Sequence, residues 1–516
     1  MYTMKKQFTA AGRGSRLSLA QITIFREQVQ AHFPGTEIQT VVRETQGDMD
    51  LSTPLHLVEG KDFFTKDIQE ALRSGEADFA VHSMKDVSSM DFFNSSHYAV
   101  IDREDPRDVA VFNDNVLLKL QQGEEIVIGT SSPRRSQMAA SFLRRALPHD
   151  AGKMTKVTAV PVRGNVDARL QQLTDGAYDG IILAAAGMNR LLRYEPSAAP
   201  VRRLLQGKRY MVLPLFECPP AAGQGAIVVE TDRDNSAAVA LLRALEKPRL
   251  RAALLQERRY AEQYGYGCSR AFGVFHLDTP HLSFTYASGN DREGQAFTEW
   301  SSDQALPDPG GRRLFSAAEY RHAFFSCRLL DKDIDESREA FFVASRNAVH
   351  APRVIHALQG KRVWAAGTQT WLALAEKGIW VEGCADGLGI ETILPTLQSP
   401  LVQITPEAMQ IITHEAGAAR WTAEGWHAAG TYRLVPQVDS ALAQIIRGAD
   451  ILFWISYRQY EQYRDAVKPG ATHACLPGKT AALLAAEGIT PVVFPGIKAF
   501  KQWQQEQAQT PAPAGV

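Results

Sequence analysis

The sequence has few cysteines, and they are not grouped as a metal site would require. Its 516 residues include 5 cysteines, which form no Cys-x-x-Cys pair and no Cys/His cluster with zinc spacing. An odd number of scattered cysteines also gives no basis for a disulfide framework. We therefore expect neither a disulfide scaffold nor a bound metal.

Long apolar runs and an excess of charge are also absent. No stretch of about 18 apolar residues occurs, and the amino terminus lacks the apolar segment of a signal peptide, so we expect a cytoplasmic protein with no membrane partner. The formal charge of −1, without a long basic run, argues against nucleic-acid binding. The expected partner is a small molecule that is recognised locally.

Strand-like apolar runs alternate with helical patterns from Glu37 to Leu192, which predicts an α/β fold class with largely parallel sheets. The predicted strands are Glu37–Val42, Asp78–His82, Glu125–Gly129, Lys156–Val162 and Asp179–Ala184. The predicted helices are Ser18–His32, Lys66–Ser74, Pro133–Arg145, Val166–Asp175 and Ser236–Leu245. A charged crossover at 102–108 is interpreted as a hinge between two lobes.

Charged side chains collect where several predicted strands end. A strand-like run of small and apolar residues ends at Met84, and Lys85 and Asp86 follow it directly. Other strand ends or helix starts carry Arg13, Ser15, Ser131, Ser132, Arg134, Arg135, Arg163 and Arg169. Ligands of α/β sheets bind beyond the carboxyl ends of the strands, so these side chains are predicted to converge in one cleft. The alternative is that each is an ordinary solvated side chain.

The residue types in this set indicate the chemistry of the ligand. Arg134 and Arg135 are adjacent at the start of a helix, where cations oppose the helix dipole and an anion would compensate them. Guanidinium groups match carboxylates or phosphates with two parallel hydrogen bonds. Asp86 is an acid among these cations and indicates a cationic or N–H-bearing part of the same ligand.

Cys268 lies between glycines, in the stretch Tyr264–Arg270. A free cysteine is commonly an inert, buried small residue. Here the glycines favour an open loop and the neighbouring Arg270 favours the thiolate, so covalent attachment chemistry is equally consistent with this position.

These segments together resemble porphobilinogen deaminase, also called hydroxymethylbilane synthase. The resemblance covers about residues 10–303 and follows, in order, Arg13–Ser15, His82–Val87, Arg103–Asp108, Gly129–Arg135, Arg163–Val166, Leu183–Arg190, Pro220–Ala226 and Gly267–Cys268. It implies head-to-tail condensation of four porphobilinogen molecules, with loss of ammonia, into hydroxymethylbilane. The chain would grow on a dipyrromethane cofactor that is made from porphobilinogen and linked covalently through Cys268.

The same resemblance implies roles for individual residues. Asp86 would be catalytic, accepting the pyrrole N–H bonds and stabilising the positive charge that develops when ammonia leaves. Cofactor contacts would come from Ser15, Lys85, Ser131, Ser132, Arg134, Arg135, Arg163 and Gly187. Substrate contacts would come from Arg13, Arg169, Arg190, Lys61 and Phe64, the last two in a segment, 46–66, that corresponds to the family's mobile active-site loop.

The resemblance also implies a domain organisation. It predicts two α/β lobes similar to periplasmic binding proteins, at 1–104 with 212–232 and at 105–211, then a small α+β domain at 233–304 that carries the cofactor cysteine. Proline and glycine mark a linker at 305–322. A two-lobed α/β module is predicted at 323–505, and a disordered tail at 506–516.

The carboxyl-terminal module resembles uroporphyrinogen-III synthase, which closes hydroxymethylbilane with inversion of one ring. The resemblance rests on Ala344–Val349, Gly367–Thr370, Thr431–Arg433 and Gly478–Thr480, and it makes Tyr432 and Thr480 candidate site residues. The module is expected to lack the family's opening strand and helix, with 324–330 resembling the second strand. One alternative is an inactive, structural module. Another is a scaffold that channels an unstable product to a partner.

A different reading applies to the whole chain. A two-lobed binding protein for carboxylate ligands would share the cleft and the arginines, but it would need neither Cys268 nor Asp86. The sequence leaves open the oligomeric state, transfer of product between the modules, the state of cofactor loading and regulation.

Overall fold

Two units divide the chain. The computed structural model describes residues 7–44, 65–87, 96–150, 152–265 and 271–509. The first unit comprises Met1–His276, Tyr286–Glu299 and Gln398–Gln403, and the second comprises Leu277–Thr285, Trp300–Leu397 and Ile404–Val516. Within the described ranges, no helix has the length and apolar character needed to cross a membrane.

The first unit is built from strands and helices that alternate along much of the chain. Its strands are β1 (Gln7–Arg13), β2 (Glu37–Arg43), β3 (Phe79–Ser83), β4 (Ser96–Arg103), β5 (Asp108–Phe112), β6 (Ile126–Gly129), β7 (Val157–Val160), β8 (Gly180–Ala184), β9 (Arg209–Val212) and β10 (Ala226–Asp232). The helices are α1 (Arg16–His32), α2 (Lys66–Arg73), α3 (Val116–Gln122), α4 (Ala140–Ala146), α5 (Val166–Thr174), α6 (Ala185–Arg193), α7 (Glu195–Leu205), α8 (Ser236–Leu245) and α9 (Pro248–Tyr264). A π-helical turn, Arg135–Ala139, leads into α4.

Two five-stranded sheets of the first unit share one pattern. Their orders are β2-β1-β3-β10-β4 and β7-β6-β8-β5-β9. In each sheet the first three strands are parallel, and the fourth in the order, β10 or β5, is antiparallel to both of its neighbours. The predicted α/β class with two lobes is confirmed. Four of the five strands in each sheet run in one direction, so the sheets are largely parallel as expected, with one antiparallel strand in each.

The chain passes between these two sheets twice, first from β4 to β5 and then back from β9 to β10. The two connecting segments contact each other, because the Glu104 backbone N–H donates to the Gly225 carbonyl at 3.0 Å. Gly225 has a φ of +85°, and a Cβ there would lie 2.4 Å from the Glu104 oxygen. Only glycine therefore fits where the crossover segments meet.

The first sheet is held on α1 by an aromatic cluster. The ring of Phe79 in β3 lies 5.4 Å from that of Phe8 and 5.0 Å from that of Phe25, and all three side chains are buried. Burial of this apolar surface fixes α1 against the sheet. The packing therefore places the start of α1 and the carboxyl end of β3 at defined positions in the same lobe.

The first unit also contains a three-stranded sheet. It has the order β11-β12-β13, with β11 at Phe272–Asp278, β12 at Ser283–Asn290 and β13 at Ala296–Ser302. The division between the two units falls within these strands. Its core includes Tyr264 at the end of α9, whose ring stacks on Phe297 at 3.9 Å. Cys268 lies outside the described residues.

The second unit has two further sheets. Its strands are β14 (Leu314–Ser316), β15 (Phe325–Leu329), β16 (Ala340–Val343), β17 (Arg362–Ala365), β18 (Val381–Cys384), β19 (Met409–His414), β20 (His427–Pro436), β21 (Ile451–Trp454), β22 (Thr472–Cys475) and β23 (Val492–Val493). The helices are α10 (Arg321–Phe324), α11 (Pro352–Leu358), α12 (Thr368–Ala375), α13 (Leu394–Leu397), α14 (Glu415–Ala423), α15 (Ser440–Gly448), α16 (Tyr457–Tyr463), α17 (Lys479–Ala486) and α18 (Ile497–Gln509).

The sheets of the second unit have the orders β15-β20-β19-β16-β17-β18 and β14-β21-β22-β23. All neighbouring strands are parallel except β15 and β20, which are antiparallel. The chain leaves the four-stranded sheet before β15 and returns to it after β20. The antiparallel strands β15 and β20 therefore lie at the two points where the chain passes between the sheets.

Two expectations about the carboxyl-terminal half were wrong. The linker predicted at 305–322 contains β14, which pairs in parallel with β21, and the start of α10. An opening strand is therefore present, although it is short, and a four-residue helix follows it before β15. At the other end, α18 continues to Gln509, so the disorder expected from residue 506 does not hold there; residues after 509 lie outside the described part of the chain.

Candidate functional site

The segment of Lys85 and Asp86 lies at the carboxyl end of β3. Met84–Asp86 form one 3-10 turn, with Met84 buried and the next two side chains half-buried. Within the described residues, the carboxylate of Asp86 has neither a hydrogen bond nor an ion pair. An acid at a strand end that no described protein group neutralises is suited to contact a ligand.

The loop before β10 packs closely on this turn. Gly223 has a φ of +74°, and a Cβ there would lie 2.7 Å from Met84 Cγ and 3.4 Å from the Lys85 nitrogen. The Gly223 N–H donates to Glu257 Oε2 at 2.8 Å, and Glu257 is fully buried in α9. The return crossover is therefore fixed beside Asp86 by a close approach that only glycine allows.

Asp108 at the start of β5 connects two of the predicted arginines. Its Oδ2 accepts from Arg134 Nη1 at 2.7 Å and its Oδ1 from Arg135 Nη2 at 2.7 Å. Gln224 Nε2 donates to the same Oδ1 at 2.9 Å. Asp108 is completely buried, whereas the arginines are 4% and 8% exposed, so this network is shielded from water. The sequence analysis did not single out Asp108, although it lies in the crossover segment.

The charge state of Asp108 follows from two opposing effects. Burial alone would raise the pKa of this carboxyl group, but the charges and hydrogen bonds of Arg134 and Arg135 outweigh burial and hold the pKa well below its ordinary value. Asp108 is therefore ionised at neutral pH. A buried carboxylate between two guanidinium groups fixes the orientation of both arginines.

Arg134 and Arg135 also contact backbone oxygens. Arg134 Nη1 donates to the Pro219 carbonyl at 2.8 Å, and Arg135 Nη1 donates to the Ile182 carbonyl at 3.1 Å. Both arginines were predicted to bind ligand carboxylates directly. The structure gives each guanidinium at least two protein acceptors, a pairing that the sequence analysis missed. Their contact with ligand carboxylates stays a prediction.

Arg190 is a third buried cation near the crossover. Its Nη2 donates to the Gly225 carbonyl at 2.6 Å and to Asp102 Oδ2 at 3.0 Å. Burial lowers the pKa of Arg190, and Asp102 counteracts that effect. Arg190 therefore joins α6 to the crossover segments, in addition to its predicted role as a substrate contact.

The third predicted strand end lies between β7 and α5. The Ser131 hydroxyl donates to the Val162 carbonyl at 2.5 Å and accepts from the Val162 N–H at 3.1 Å. Gln172 Nε2 donates to the Arg163 carbonyl at 3.0 Å, while Arg169 Nε donates to the Gly164 carbonyl at 2.8 Å. For the Arg163 guanidinium, no hydrogen bond or ion pair occurs in the described part of the chain. Arg163 is therefore available to an anion.

The start of α1 meets the start of α5. Ser15 caps α1 by accepting from the Ser18 N–H at 3.3 Å, and Arg13 N–H donates to Ser18 Oγ at 2.9 Å. Arg16 Nη1 lies 2.9 Å from Asp167 Oδ2. These contacts bring two of the predicted positively charged segments together, one from each lobe.

Gly187 in α6 faces α1. A Cβ at this glycine would meet only Leu17 Cδ2, at 3.6 Å, which is an ordinary van der Waals distance. Packing within the protein therefore does not require glycine at this position. The contact of Gly187 with the cofactor stays a prediction.

Three predicted site residues cannot be placed. Cys268, Lys61 and Phe64 lie outside the described ranges. Their assignments stay predictions.

Ser132 is described at the start of the helical segment, where its N–H donates to Thr130 Oγ1 at 3.3 Å.

In the second unit, Tyr432 lies in β20 opposite Leu329 of β15 and is 2% exposed. Burial raises the pKa of Tyr432 to about 12, and a hydrogen bond with Ser345 partly opposes the rise. Ser345 directly follows β16 and accepts from the Asn347 N–H at 3.2 Å. Thr480 is half-buried at the second position of α17. Tyr432 is thus a packed side chain next to a strand end.

The first unit is therefore an α/β protein of two lobes, in which the loop before β10 contacts both the turn that carries Asp86 and the buried side chains of Arg134 and Arg190. Residues 8–240 match the family model described as porphobilinogen deaminase, dipyromethane cofactor binding domain. The chain belongs to the porphobilinogen deaminase family.

Curated relatives support this assignment over the amino-terminal half. The porphobilinogen deaminase of Chromobacterium violaceum is 39% identical over 266 residues, which are 51% of this chain and 78% of the relative. That of Thiobacillus denitrificans is 38% identical over 268 residues, or 52% and 79% of the two chains. That of Roseiflexus castenholzii is 35% identical over 278 residues, or 53% and 82%.

Among solved structures, a uroporphyrinogen-III synthetase from Helicobacter pylori is 15% identical to this chain. The match covers 38% of this chain and 99% of the other, with a TM-score of 0.27. A TM-score this low does not establish a shared fold.

Proposed function

We propose that the first unit is a hydroxymethylbilane synthase, which condenses four porphobilinogen molecules head to tail and releases ammonia. The activity is inferred from the family to which the chain belongs, and one observation in the structure supports the chemistry of the reaction. Asp86 is a carboxylate without a described protein partner, in the turn that directly follows β3 and next to Lys85. The cytoplasmic setting expected from the sequence stays part of this proposal.

The residue types predicted for the site fit a dipyrromethane cofactor. Each pyrrole carries an acetate and a propionate, so the group needs several cationic or hydroxyl donors. Arg163 has no described protein partner, so its guanidinium can bind one of these carboxylates. The positions that would hold the cofactor are Ser15, Lys85, Ser131, Ser132, Arg134, Arg135, Arg163 and Gly187, with Cys268 as the covalent anchor. When bound, the dipyrromethane supplies the primer for the growing chain.

Asp86 and Lys85 have different roles in the reaction. The Asp86 carboxylate accepts N–H bonds from the reacting pyrrole and stabilises the positive charge that develops as ammonia departs. It also holds the proton that passes to the leaving amine and later receives one from the new carbon centre. Lys85, on the same turn, binds a carboxylate of the same ring, so one turn fixes both ends of the pyrrole.

Substrate carboxylates would be bound by the remaining cations, Arg13, Arg169 and Arg190, with Lys61 and Phe64 from the segment outside the described residues. Arg190 is buried and contacts Asp102, so its contribution includes the position of the crossover. These lysine and arginine side chains would bind the carboxylates of each incoming porphobilinogen before condensation.

For the second unit we propose uroporphyrinogen-III synthase activity. The observation in favour is its topology, because the unit has the two α/β lobes expected from the resemblance, and the antiparallel strands β15 and β20 lie where the chain passes between them. The opening strand that the sequence analysis found missing is represented by β14. Tyr432 and Ser345, at one strand end, are the candidate contacts for the linear tetrapyrrole, and Thr480 is a further candidate.

Incubation of the full chain with porphobilinogen tests both activities. The first unit is expected to release ammonia and form hydroxymethylbilane, and the second is expected to convert that product into the type III isomer. The isomers are separated by chromatography after oxidation to porphyrins. Failure to consume porphobilinogen would contradict the deaminase.

The isomer ratio decides the second activity by itself. Hydroxymethylbilane closes spontaneously to the type I isomer, so a mixture with only that isomer would contradict the cyclase while leaving the deaminase intact. A matched control adds the protein after heat inactivation to preformed hydroxymethylbilane, where only spontaneous closure is expected.

A further inference from the structure

Six residues from far along the chain belong to the first unit. They are Gln398–Gln403, between α13 and β19, and we call them the docking loop. The match to the porphobilinogen deaminase family ends at residue 240, so the docking loop lies outside the matched residues. Its place in the first unit is therefore a feature of this chain that membership of the family does not explain.

The docking loop has a compact, closed shape. At its base, the Ile404 N–H donates to the Leu397 carbonyl at 2.7 Å. At its tip, the N–H groups of Val402 and Gln403 both donate to the Ser399 carbonyl, at 3.1 and 2.9 Å. Gln403 has a φ of +55°, a left-handed conformation that residues other than glycine rarely adopt. A short loop with joined ends and internal hydrogen bonds has a defined shape of its own, which lowers the entropic cost of its contact with a surface.

The tip of the docking loop is hydrogen-bonded to α6. The Leu401 N–H donates to Oδ1 of Asn189 at 3.2 Å. Asn189 is only 2% exposed, and a buried amide group costs free energy unless it is hydrogen-bonded. The Tyr210 hydroxyl in β9 also lies 3.5 Å from the carbonyl of Val402, which is buried. The docking loop therefore donates a hydrogen bond to a polar side chain that is buried in the lobe.

The docking loop also borders α7. Leu192 of α6, Leu205 of α7 and Leu401 of the loop line one cavity of about 420 Å³. The two helices are joined, because the Ser197 hydroxyl at the start of α7 donates to the Leu191 carbonyl at 2.7 Å. The loop therefore lies beside both members of a connected pair of helices.

Helix α6 carries two residues that are predicted to contact the cofactor or the substrate. They are Gly187 and Arg190, which lie on either side of Asn189 in the sequence. Successive residues of a helix point about 100° apart, so the loop holds α6 on a different side from Arg190, whose guanidinium contacts Gly225 and Asp102. A shift of α6 would move Gly187 and Arg190 together, and a misplacement of about 1 Å can cost roughly 100-fold in rate.

We propose that the docking loop is a positioning element of the deaminase, because its hydrogen bond to Asn189 keeps α6 in place for the binding of the dipyrromethane and of porphobilinogen. The partner that fits this surface of α6 is a preformed loop that offers a backbone N–H, and this chain supplies that loop itself. The loop acts through α6 rather than on the reacting atoms. This inference rests on the proposed deaminase function.

Two variants of the full chain test the positioning role. In one, the docking loop is replaced by six alternating glycine and serine residues; in the other, Asn189→Ala removes the acceptor of the hydrogen bond. Each variant is expected to raise KM for porphobilinogen roughly tenfold, with a smaller change in kcat, and to increase hydrogen–deuterium exchange in the peptide that covers α6. Asn115→Ala is the matched control and should behave as wild type, because Asn115 is exposed in the same lobe and its side chain makes no capping hydrogen bond to the described start of α3.

A combined variant separates positioning from general destabilisation. If the loop acts through Asn189, the loop replacement together with Asn189→Ala should have the same KM and the same exchange as the loop replacement alone. Additive effects would overturn the proposal. Faster exchange in α6 with an unchanged KM would also overturn it, as would an equal rise of KM in Asn115→Ala.

The outcomes distinguish this inference from the proposed function. A wild-type chain that consumes no porphobilinogen would reject the deaminase and the part of the loop in its reaction, whereas exchange in α6 that rises on loop replacement would retain the docking of the loop on Asn189. An active wild-type chain whose KM and exchange are unchanged in both variants would reject the positioning role alone.

Discussion

Asp86→Asn is expected to reduce kcat for porphobilinogen consumption by roughly 10²- to 10⁴-fold while leaving the dipyrromethane attached. Asparagine keeps the size of the side chain, but it removes the charge that stabilises the developing cation and the site that holds the proton. The measurement is ammonia release at saturating porphobilinogen, together with the intact mass of the same preparation.

The control for this variant is Asp175→Asn. Asp175 is exposed beyond the end of α5 and accepts one hydrogen bond from Gln171, so its replacement should leave turnover unchanged. Near-normal turnover in Asp86→Asn would refute the catalytic assignment. Loss of the cofactor from that variant would show instead that Asp86 acts in assembly of the site.

Asp108→Asn is expected to destabilise the first unit and to impair cofactor loading. Removal of one partner from a buried ion pair costs about 3–5 kcal/mol, because the remaining charges stay buried without compensation. Here Arg134 and Arg135 both lose their carboxylate. A loss of this size lowers the melting temperature by on the order of 10 °C for a unit of a few hundred residues.

Differential scanning calorimetry and intact mass together check the Asp108 prediction. The melting transition of the first unit should fall in Asp108→Asn, and the fraction of chains that carry the adduct should fall with it. Asp175→Asn again serves as control, with a change of roughly 0.5 kcal/mol or less. An unchanged melting transition with full loading would mean that Asp108 does not organise the two arginines.

Much of the secondary structure could be predicted because the spacing of apolar residues in a short stretch of sequence indicates a helix or a strand. The helix predicted at Ser236–Leu245 has those bounds, and the helix predicted at Ser18–His32 begins two residues earlier. Strand direction could not be predicted in this way. β10 was not among the predicted strands, and only the return of the chain from the other lobe makes it antiparallel to β3 and β4.

The candidate site shows the same limit. The positions of Lys85, Asp86 and Arg163 at strand ends followed from sequence, because strand-to-helix connections are short and local. The pairing of Arg134 with Asp108 spans 26 positions, and sequence spacing carries no information about it. The signal available was Asp108 itself, an acid next to Arg107 in a segment that was interpreted only as a hinge.

The opening strand of the second unit was missed for a different reason. β14 has three residues, Leu314–Ser316, which is too short to show alternation, and it follows a stretch rich in proline and glycine. Its pairing with β21, more than a hundred positions away, makes it a strand. The composition typical of a linker is therefore found in the residues before β14 and not in β14 itself.

The intact mass of the purified chain after incubation with porphobilinogen tests the central claim most directly. A carboxylate-rich pyrrole chain that is covalently anchored beside Asp86 predicts a mass increase of two pyrrole units, located by peptide mapping on Cys268. A chain of unmodified mass, with Cys268 recovered as a free thiol, would contradict the account and favour a two-lobed protein that only binds carboxylate ligands.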